Sequence, residues 1–372
     1  MTFRIGSFNV ENLFDRPRVM NLPTWEEGRP ILDAYAKLTD LFEEPIYTPA
    51  IKVDILHLLE QLGLLRADTS TYVQLRKIRG ALLRRPRTGP VDVVAAGRSS
   101  WIGWLELTTQ HVNALATEHT AMVIRDIGAD VLGVVEAESR PTLNLFSAAM
   151  LKQVDAEPYE QVMLVDGNDT RGIDVGLLAK GKHQLVEIRT HVFDNDTGGV
   201  VFSRDCCEYH LRTERGNRLI VLVNHFKSKG YGTKADSDER RRRQAARVAE
   251  IYQGLVRNGA RYIAVVGDLN DHPTSTPLAP LVEQTDLTDI SSHPDFDFGA
   301  RRGTFGSGGD LDKIDYVLLS PSLRKKATGG AVFRNGVWRG PRTKNPWPIY
   351  PTMTAPVHAA SDHAAIYADI NF

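Results

Sequence analysis

The residues that could do chemistry in this sequence lie in short polar clusters, each at the end of an apolar, strand-like run. The last cluster is Ser361-Asp362-His363, which leads into the strand-like run from Ala364 to Phe372. Five further clusters lie along the chain: Ser7 to Asn12, Val134 to Glu136, Asn224 to Ser228, Val266 to Asp271 and Lys313 to Tyr316. Strands hold the side chains at their ends rigidly. The six clusters therefore predict one shared site at the rim of a sheet sandwich.

Three residues of these clusters are suited to holding a divalent metal ion. Glu136 and Asp362 offer carboxylate oxygens, the ligands that Mg²⁺ and Mn²⁺ prefer, and Asn9 adds a neutral amide oxygen. A divalent ion neutralises the charge that would otherwise repel a nucleophile from a phosphate group. We therefore predict that Asn9, Glu136 and Asp362 form a metal site, with Mg²⁺ or Mn²⁺ as the cofactor.

The remaining cluster residues are of types that move protons or contact phosphoryl oxygens. Asp268 can orient or deprotonate an attacking water, and Asn270 can donate a hydrogen bond to a phosphoryl oxygen. His363 and His225 can stabilise a pentacovalent phosphorus or the departing oxygen, and Asp315 is a candidate to orient His363. Each residue alone also has a structural explanation, since an Asp or Asn after a strand often forms a turn. Together they predict hydrolysis of a phosphoester by activated water.

The clusters and their order resemble the endonuclease/exonuclease/phosphatase superfamily, also called the DNase I-like fold. The resemblance covers roughly residues 1 to 15 and 109 to 372, in the family's order of Asn, Glu, His, Asp-x-Asn, Asp and Asp-His. It implies an α/β fold, a four-layered α/β sandwich of two packed mixed β-sheets flanked by helices. It also implies that Glu136 is the main metal ligand, with Asn9 and Asp362 close by.

Two arginines are candidates for binding the substrate, together with Asn270. The segment Phe202-Ser203-Arg204-Asp205 resembles the DNase I segment whose arginine contacts substrate phosphate. Arg171 precedes a predicted strand at the same rim and can act likewise. A surface salt bridge explains Arg204 equally well, so both interpretations stay open at this point.

The pattern of apolar runs predicts the elements that position these residues. Runs rich in Val, Ile and Leu predict buried strands at residues 131–135, 175–178, 219–223, 262–266, 314–319 and 364–370. Apolar residues at helical spacing predict helices at 111–128 and 238–258. These elements alternate without a strict βαβ rhythm, which favours a mixed sheet sandwich with helices outside. Residues 329–356 are rich in Pro and Gly and predict a long surface loop.

Residues 16–108 follow a different pattern and predict a mostly helical insertion within one domain that spans residues 1–372. Prolines interrupt the first part, and amphipathic stretches follow around Val53 to Leu65 and Tyr72 to Leu83. Trp101 and Trp104, in a predicted strand or loop, either pack within the insertion or stack on bases. We expect the insertion to form a lid or wall beside the site, because it leaves the sandwich soon after Asn9.

Composition limits the class of protein and its partners. A chain of 372 residues with 42% hydrophobic residues can bury a large core. Its 45 basic and 46 acidic residues nearly cancel, so binding to nucleic acid or anionic lipid would need local patches. Two adjacent cysteines form no disulfide framework, and no signal peptide or membrane-spanning run is visible. We expect a cytoplasmic protein.

The leading functional prediction is a Mg²⁺- or Mn²⁺-dependent phosphodiesterase that acts on DNA or RNA. His225 stands where abasic-site repair enzymes carry a tyrosine, and the Trp-Cys-Asp-Arg element of inositol phosphatases is absent near Asp315. One alternative is a phosphatase or phosphodiesterase of a small-molecule or lipid phosphoester. Another is a non-catalytic module that binds phosphate. The run Arg240 to Arg243 indicates either a nucleic-acid contact or a solvated helix face.

Overall fold

The chain divides into two compact units in the computed structural model, which describes residues 2–22, 25–169, 171–229, 233–339 and 346–372. The larger unit consists of Met1–Phe14, Val112–Lys229 and Lys234–Phe372, and the smaller unit consists of Asp15–His111 with Gly230–Thr233. The α-helices are α1 (Trp25–Phe42), α2 (Pro49–Gln61), α3 (Ala114–Ile127), α4 (Arg140–Leu145), α5 (Leu151–Gln153), α6 (Lys234–Arg257), α7 (Ala279–Val282) and α8 (Pro321–Arg324).

The strands are numbered in chain order. The first eleven are β1 (Phe3–Asn9), β2 (Asp15–Pro17), β3 (Val73–Arg79), β4 (Leu83–Arg84), β5 (Asp92–Val93), β6 (Ile102–Leu107), β7 (Thr109–His111), β8 (Val131–Ala137), β9 (Gln161–Val165), β10 (Asp174–Ala179) and β11 (Gln184–Arg189). The others are β12 (Asn195–Asp196), β13 (Gly199–Val200), β14 (Cys207–Arg212), β15 (Arg218–His225), β16 (Tyr262–Asp268), β17 (Thr288–Asp289), β18 (Phe296–Asp297), β19 (Asp315–Leu319), β20 (Ala327–Phe333) and β21 (Ala365–Ile370).

Two mixed sheets form the larger unit. The seven-stranded sheet has the order β18-β20-β21-β1-β8-β10-β9, and the six-stranded sheet has the order β11-β14-β15-β16-β19-β17. In the first sheet β1 is parallel to β8 and antiparallel to β21. In the second, β15 and β16 are parallel, while β16 and β19 are antiparallel. The central strands of each sheet are buried on both faces, which explains their continuous apolar runs.

Three apolar layers hold the sheets and helices together. Between the sheets lie side chains from the inner faces of both, including Ile5, Val135, Leu177, Val221 and Val266. The outer face of the seven-stranded sheet packs against α3, and the outer face of the six-stranded sheet packs against α6. The result is a four-layered α/β sandwich, as predicted. Burying each large apolar side chain stabilises it by about 1.5–3 kcal/mol.

The helices on the outer faces have clear local causes. The side chain of Asn113 accepts a hydrogen bond of 2.9 Å from the Leu115 N–H, which caps the start of α3. Gly128 ends that helix with a left-handed φ of 57°. The predicted helices at 111–128 and 238–258 are therefore confirmed as α3 and α6. None of the described helices is both long and apolar enough to cross a membrane.

The smaller unit has its own core, in which α1 and α2 pack with strands. Its buried side chains include Leu38, Ile55, Leu59, Leu75 and Trp101. The predicted helical stretch around Tyr72 to Leu83 is wrong, because its first part forms β3, which pairs antiparallel with β6. Alternating burial of Val73 and Leu75 has the period of a strand. Trp101 is a core residue, and the lid role of this unit stays a prediction.

The predicted surface loop at 329–356 also needs a correction. Its first residues, through Phe333, belong to β20, which pairs with β21. Backbone pairing along a buried sheet outweighs the weak strand propensity of Gly329 and Gly330. Residues 334–339 and 346–355 contain no helix or strand, and residues 340–345 lie outside the described residues.

The two sheets pack tightly where β8 lies against β16. A Cβ atom on Gly133 would lie 2.6 Å from Cγ2 of Val266, a distance too short for two carbon atoms. Glycine is therefore required at this position for the sheets to keep their spacing. Glu136 and Asp268 lie further along these same two strands. The distance between the sheets therefore also sets the distance between these two site residues.

We predict that Gly133→Ala destabilises the protein by about 1–3 kcal/mol, because the added methyl group overpacks the inter-sheet core. The measurement is the free energy of unfolding in urea. Gly254→Ala, in the open part of α6, is the matched control, since its nearest neighbour would be 3.8 Å away. The control should stabilise the helix slightly, and equal effects of the two changes would contradict this packing argument.

Candidate functional site

Strand register brings the predicted residues together at one end of the sandwich, which we call the site end. In the six-stranded sheet, His225, Asp268 and Asp315 lie directly opposite one another on β15, β16 and β19. In the seven-stranded sheet, Asn9 at the end of β1 pairs with Val135 of β8. Glu136 is the next residue of β8 after Val135. The two rows face each other across the sandwich, since the Asn9 side chain reaches Asp268.

Asp268 is the centre of the site and is 1% exposed. Its Oδ2 accepts hydrogen bonds from the Asn9 amide at 3.3 Å and the Asn270 amide at 3.1 Å, and its Oδ1 accepts one from the Asn270 backbone N–H at 2.8 Å. Two imidazoles lie just beyond, with Nε2 of His225 at 3.7 Å and Nε2 of His363 at 3.8 Å from the same Oδ2. One carboxylate thus contacts four predicted site residues.

The environment of Asp268 changes its acidity. Burial raises the pKa of Asp268 to about 7; the His363 charge opposes that rise, and Asp315 and Glu136 add to it. A carboxyl group with a pKa near neutrality can both hold and release a proton under ordinary conditions. Perturbed carboxyl groups of this kind are typical of functional sites.

His363 and Asp315 form a buried pair beside Asp268. Nδ1 of His363 lies 2.9 Å from Oδ2 of Asp315, and the ring nitrogen on the other side faces Asp268. Burial alone would lower the pKa of His363, but the charges of Asp315 and Asp268 outweigh it and raise that pKa well above its ordinary value. His363 is therefore held as an imidazolium in a fixed orientation, the geometry expected of an orienting carboxylate.

His225 is neutral, in contrast to the positively charged His363, because burial and nearby cations disfavour its protonated form. Nε of Arg204 donates to Nδ1 of His225 at 3.1 Å, and an NH2 nitrogen of Arg204 lies 2.7 Å from Nε2. Burial lowers the pKa of His225 well below its ordinary value, and the charges of Arg204 and Arg171 lower it further. The site end thus contains one charged and one neutral imidazole.

Arg204 and Arg171 are joined through a third residue, Asp169. The carboxylate of Asp169 lies 2.6 Å from Arg171 and 3.4 Å from Arg204. These two cations lower the pKa of Asp169 although burial acts in the other direction. Because Arg204 is 1% exposed, the alternative of a surface salt bridge is wrong. Whether Arg204 and Arg171 contact a phosphate stays a prediction.

The donor atoms of the site fit a hard divalent cation. Glu136 and Asp268 present carboxylate oxygens to the same end of the sandwich, and Oε1 of Glu136 lies 3.6 Å from Nε2 of His225. The amide nitrogen of Asn9 donates to Asp268, and its oxygen accepts a 3.0 Å hydrogen bond from the Glu11 N–H. The charge of Glu136 helps to raise the pKa of Asp268, a repulsion that a bound cation would relieve. Asp362, which is half-exposed, lies 3.8 Å from Nε2 of His363. Mg²⁺ or Mn²⁺ held by Asn9, Glu136 and Asp362 stays a prediction.

A second set of possible ligands has a different use. Asp268, Asp315 and His363 offer ligand atoms that all lie within 4.8 Å of one another. However, Nδ1 of His363 already contacts Asp315, and the charges of Asp315 and Asp268 hold the ring as an imidazolium, which has no free lone pair. This set is therefore suited to proton handling, and a cation at the carboxylate of Glu136 stays a prediction.

The backbone at Glu136 is strained. Its φ is 63°, a left-handed value that is uncommon for a residue other than glycine. Opposite β8, Asp174 pairs with Ala137 and Val175 pairs with Val135, so Glu136 is the extra residue of a β-bulge. Such strain costs about 1–3 kcal/mol and is often found at functional sites. The bulge redirects the Glu136 carboxylate toward the site.

Four residues near the site were not assigned a role from the sequence. They are Glu11, whose carboxylate accepts a 3.1 Å hydrogen bond from the Asp362 N–H, and Asp169, Lys227 and Phe305. The ring of Phe305 lies 4.9 Å from that of His363 and is 37% exposed. Glu11 and Lys227 stand inside the polar clusters, so their position was a usable signal. Nothing in the local sequence marks Asp169 or Phe305.

The run Arg240 to Arg243 is not an open cationic face. Arg241 is 1% exposed and bonds to Asp271, and Arg242 pairs with Glu239 on the same helix. Arg243 pairs with Asp196. Arg242 and Arg243 therefore agree with the interpretation as a solvated helix face, whereas the buried Arg241 does not.

Comparison with known proteins decides the family. A sequence model of the endonuclease/exonuclease/phosphatase family matches residues 94–297, which is more than half of the chain and includes Glu136, His225 and Asp268. The chain belongs to this family. The resemblance read from the polar clusters is thereby confirmed. Members of this phosphatase and nuclease family are phosphoester hydrolases that commonly use divalent metal ions.

Solved structures agree on the fold. One similar structure is an endonuclease/exonuclease/phosphatase family protein from Bacteroides thetaiotaomicron, with 17% identity, a TM-score of 0.51, and coverage of 69% of this chain and 89% of that chain. Another is a mannosyl-6-phosphatase from Bacteroides thetaiotaomicron, with 17% identity, a TM-score of 0.51, and coverage of 69% and 92%. At this identity the likeness shows the fold alone. No curated protein matches the chain.

We predict that Asp315→Asn lowers the pKa of His363, because one of the charges that raise it is removed. The imidazolium would then lose its proton at a lower pH than in the parent protein. NMR titration of the metal-free protein, following the ring protons of His363, measures this change. Asp310→Asn, at an exposed position five residues before Asp315, removes an equal charge and should leave the titration unchanged.

Proposed function

We propose that this protein hydrolyses phosphodiester bonds in nucleic acid with the help of a divalent metal ion. The single observation that supports this most directly is the setting of Asp268. Its buried carboxylate lies between the amides of Asn9 and Asn270 and two imidazoles. His363 is charged and His225 is neutral. That arrangement supplies a proton acceptor and a charged donor within one small space.

A cation held by Asn9, Glu136 and Asp362, when bound, would neutralise charge on the phosphoryl group. Asp268 then accepts a proton from the attacking water; burial raises its pKa to about 7 without the cation, which makes it a better proton acceptor than an ordinary aspartate. Its own hydrogen bonds from Asn9 and Asn270 fix the carboxylate, so the proton is transferred to a defined position.

Asn270 has two tasks that compete for its amide protons. In the structure its Nδ2 donates both to Asp268 at 3.1 Å and to the Phe226 carbonyl at 3.2 Å. Donation to a phosphoryl oxygen therefore requires that one of these bonds be released when substrate binds. The left-handed φ of 55° at Asn270 keeps the side chain at the site end.

His363 acts as the charged hydrogen-bond donor. Because Asp315 occupies Nδ1, the proton on Nε2 is available for a phosphoryl oxygen or the departing oxygen. His225 is neutral and can donate without adding a second positive charge beside the first. This division of charge agrees with the need to stabilise a phosphoryl group while leaving Asp268 able to accept a proton.

A nucleic-acid substrate is favoured by Phe305. An exposed aromatic ring next to His363 offers a flat surface on which a base adjoining the scissile phosphate can stack. Aromatic stacking of this kind tolerates any base, so it suits a nuclease without strict sequence preference.

A small-molecule phosphomonoester is the second candidate. Lys227 is partly buried near Arg171 and Arg204; burial first, and then these charges, lower its pKa to about 7. Such a concentration of cations would suit the dianion of a monoester. One similar structure is named a mannosyl-6-phosphatase.

A substrate panel separates these two functions. With Mg²⁺ or Mn²⁺, we expect hydrolysis of single-stranded RNA or plasmid DNA and of bis-p-nitrophenyl phosphate, and little hydrolysis of p-nitrophenyl phosphate. Each rate is measured with and without EDTA. Faster hydrolysis of the monoester than of the diesters would favour the second candidate, and activity that survives EDTA would contradict the metal requirement.

We predict that Asp268→Asn lowers the turnover number by about 10²–10⁴-fold, since an amide cannot accept the proton from water. The same change removes a buried charge that is repelled by Asp315 and Glu136. The melting temperature of the metal-free protein should therefore stay the same or rise. Asp295→Asn, at a side chain that is 76% exposed, is the control. Turnover within tenfold of the parent protein would refute the role of Asp268.

A further inference from the structure

Three arginines stand side by side at the end of the six-stranded sheet that is opposite the site end. Arg212 on β14 is directly opposite Arg218 on β15. Arg261 immediately precedes Tyr262, which pairs with Leu219 in the parallel register of β15 and β16. We call Arg212, Arg218 and Arg261 the arginine row. Neighbouring strands lie about 4.8 Å apart, so the row extends over roughly 10 Å.

The side chains of the arginine row have no acidic partner among the described residues. All three residues are exposed. Other arginines of this unit have acidic partners, as Arg189 has Glu187 and Arg247 has Asp194. Like charges directly opposite each other on paired strands destabilise a sheet. The row therefore lowers stability unless an anion binds there.

The arginine row borders a cavity of about 620 Å³ between the strands and the end of α6. Apolar atoms of Ile220 and Leu255 also line it. Glu187 is the one acidic residue among the described residues that line the cavity, and Arg189 neutralises it at 2.7 Å. The cavity is consequently both concave and positively charged, as a site for an anionic ligand should be.

We propose that the arginine row is a second phosphate-binding site that holds the phosphodiester backbone of a nucleic-acid substrate away from the scissile bond. Guanidinium groups match phosphate oxygens with paired hydrogen bonds, and a row of three suits consecutive phosphates better than one isolated phosphate. This inference rests on the proposed nuclease function, because it assigns the row to the same substrate.

The distance to the site end sets the length of strand that the row can hold. Arg218 and His225 are the first and last residues of β15, which separates the row from the site end by about 23 Å at about 3.3 Å per residue. A dinucleotide bound at the site end cannot reach the row. A long single strand can contact both.

The test compares Arg212→Gln/Arg218→Gln with the control Lys152→Gln/Lys325→Gln, which removes the same charge from exposed positions outside the cavity. Fluorescence anisotropy with a long labelled single strand, in EDTA to prevent cleavage, measures binding over a range of salt concentrations. We expect binding to the first variant to be about five- to tenfold weaker. The slope of log affinity against log salt should fall by about 1.4, since each phosphate contact contributes about 0.7. Arg261→Gln alone should give about half of that change in slope.

Turnover of bis-p-nitrophenyl phosphate and of a dinucleotide should be the same in the parent protein and both variants. Equal binding of the long strand by the two variants would overturn the arginine row as a binding site. A parent protein that binds the long strand through the row but fails to hydrolyse it would instead refute the proposed function and leave the row as a binding site. The two failures are thus distinguishable.

Discussion

The burial of one carboxylate, that of Asp268, is the constraint on which the rest of the site depends. A carboxylate that is 1% exposed is stable only if its oxygens are hydrogen-bonded or its charge is balanced. Asn9 and Asn270 supply the hydrogen bonds, and the His363 imidazolium supplies the balancing charge. Asp315 in turn keeps His363 charged. Each of these residues has a chemical role, and each also stabilises the buried carboxylate of Asp268.

The fold provides this environment at a cost in local strain. Gly267, which precedes Asp268, has a φ of 134°, and a Cβ atom there would lie 1.9 Å from the Asn224 carbonyl oxygen. Glycine adopts this backbone without strain. On the facing sheet the bulge places Glu136, a residue other than glycine, in the left-handed region, which is strained. The apolar layer between the sheets stabilises the sandwich enough to hold this strain. The stable part of the fold and the functional part therefore lie on the same strands, a few residues apart.

Much of this was readable from the sequence, because strand ends and polar clusters are local features. The sequence predicted the sandwich, the helices α3 and α6, and the set of residues that meet around Asp268. It could not predict the left-handed backbone at Glu136, since a bulge depends on the register of a distant strand. Nor could it predict that Arg204 is buried behind His225. The strand β3 was missed because its helical and strand periodicities compete over a short stretch.

The central claim is that Asp268 is a proton acceptor whose pKa is raised by burial and by neighbouring charge. The most direct test is a ¹³C NMR titration of the Asp268 side-chain carboxyl in the metal-free protein, repeated with Mg²⁺. The expected result is a pKa near 7 without metal that falls when Mg²⁺ is added, because the cation favours the charged form. A value close to the ordinary aspartate pKa of about 3.9, unchanged by Mg²⁺, would contradict the account.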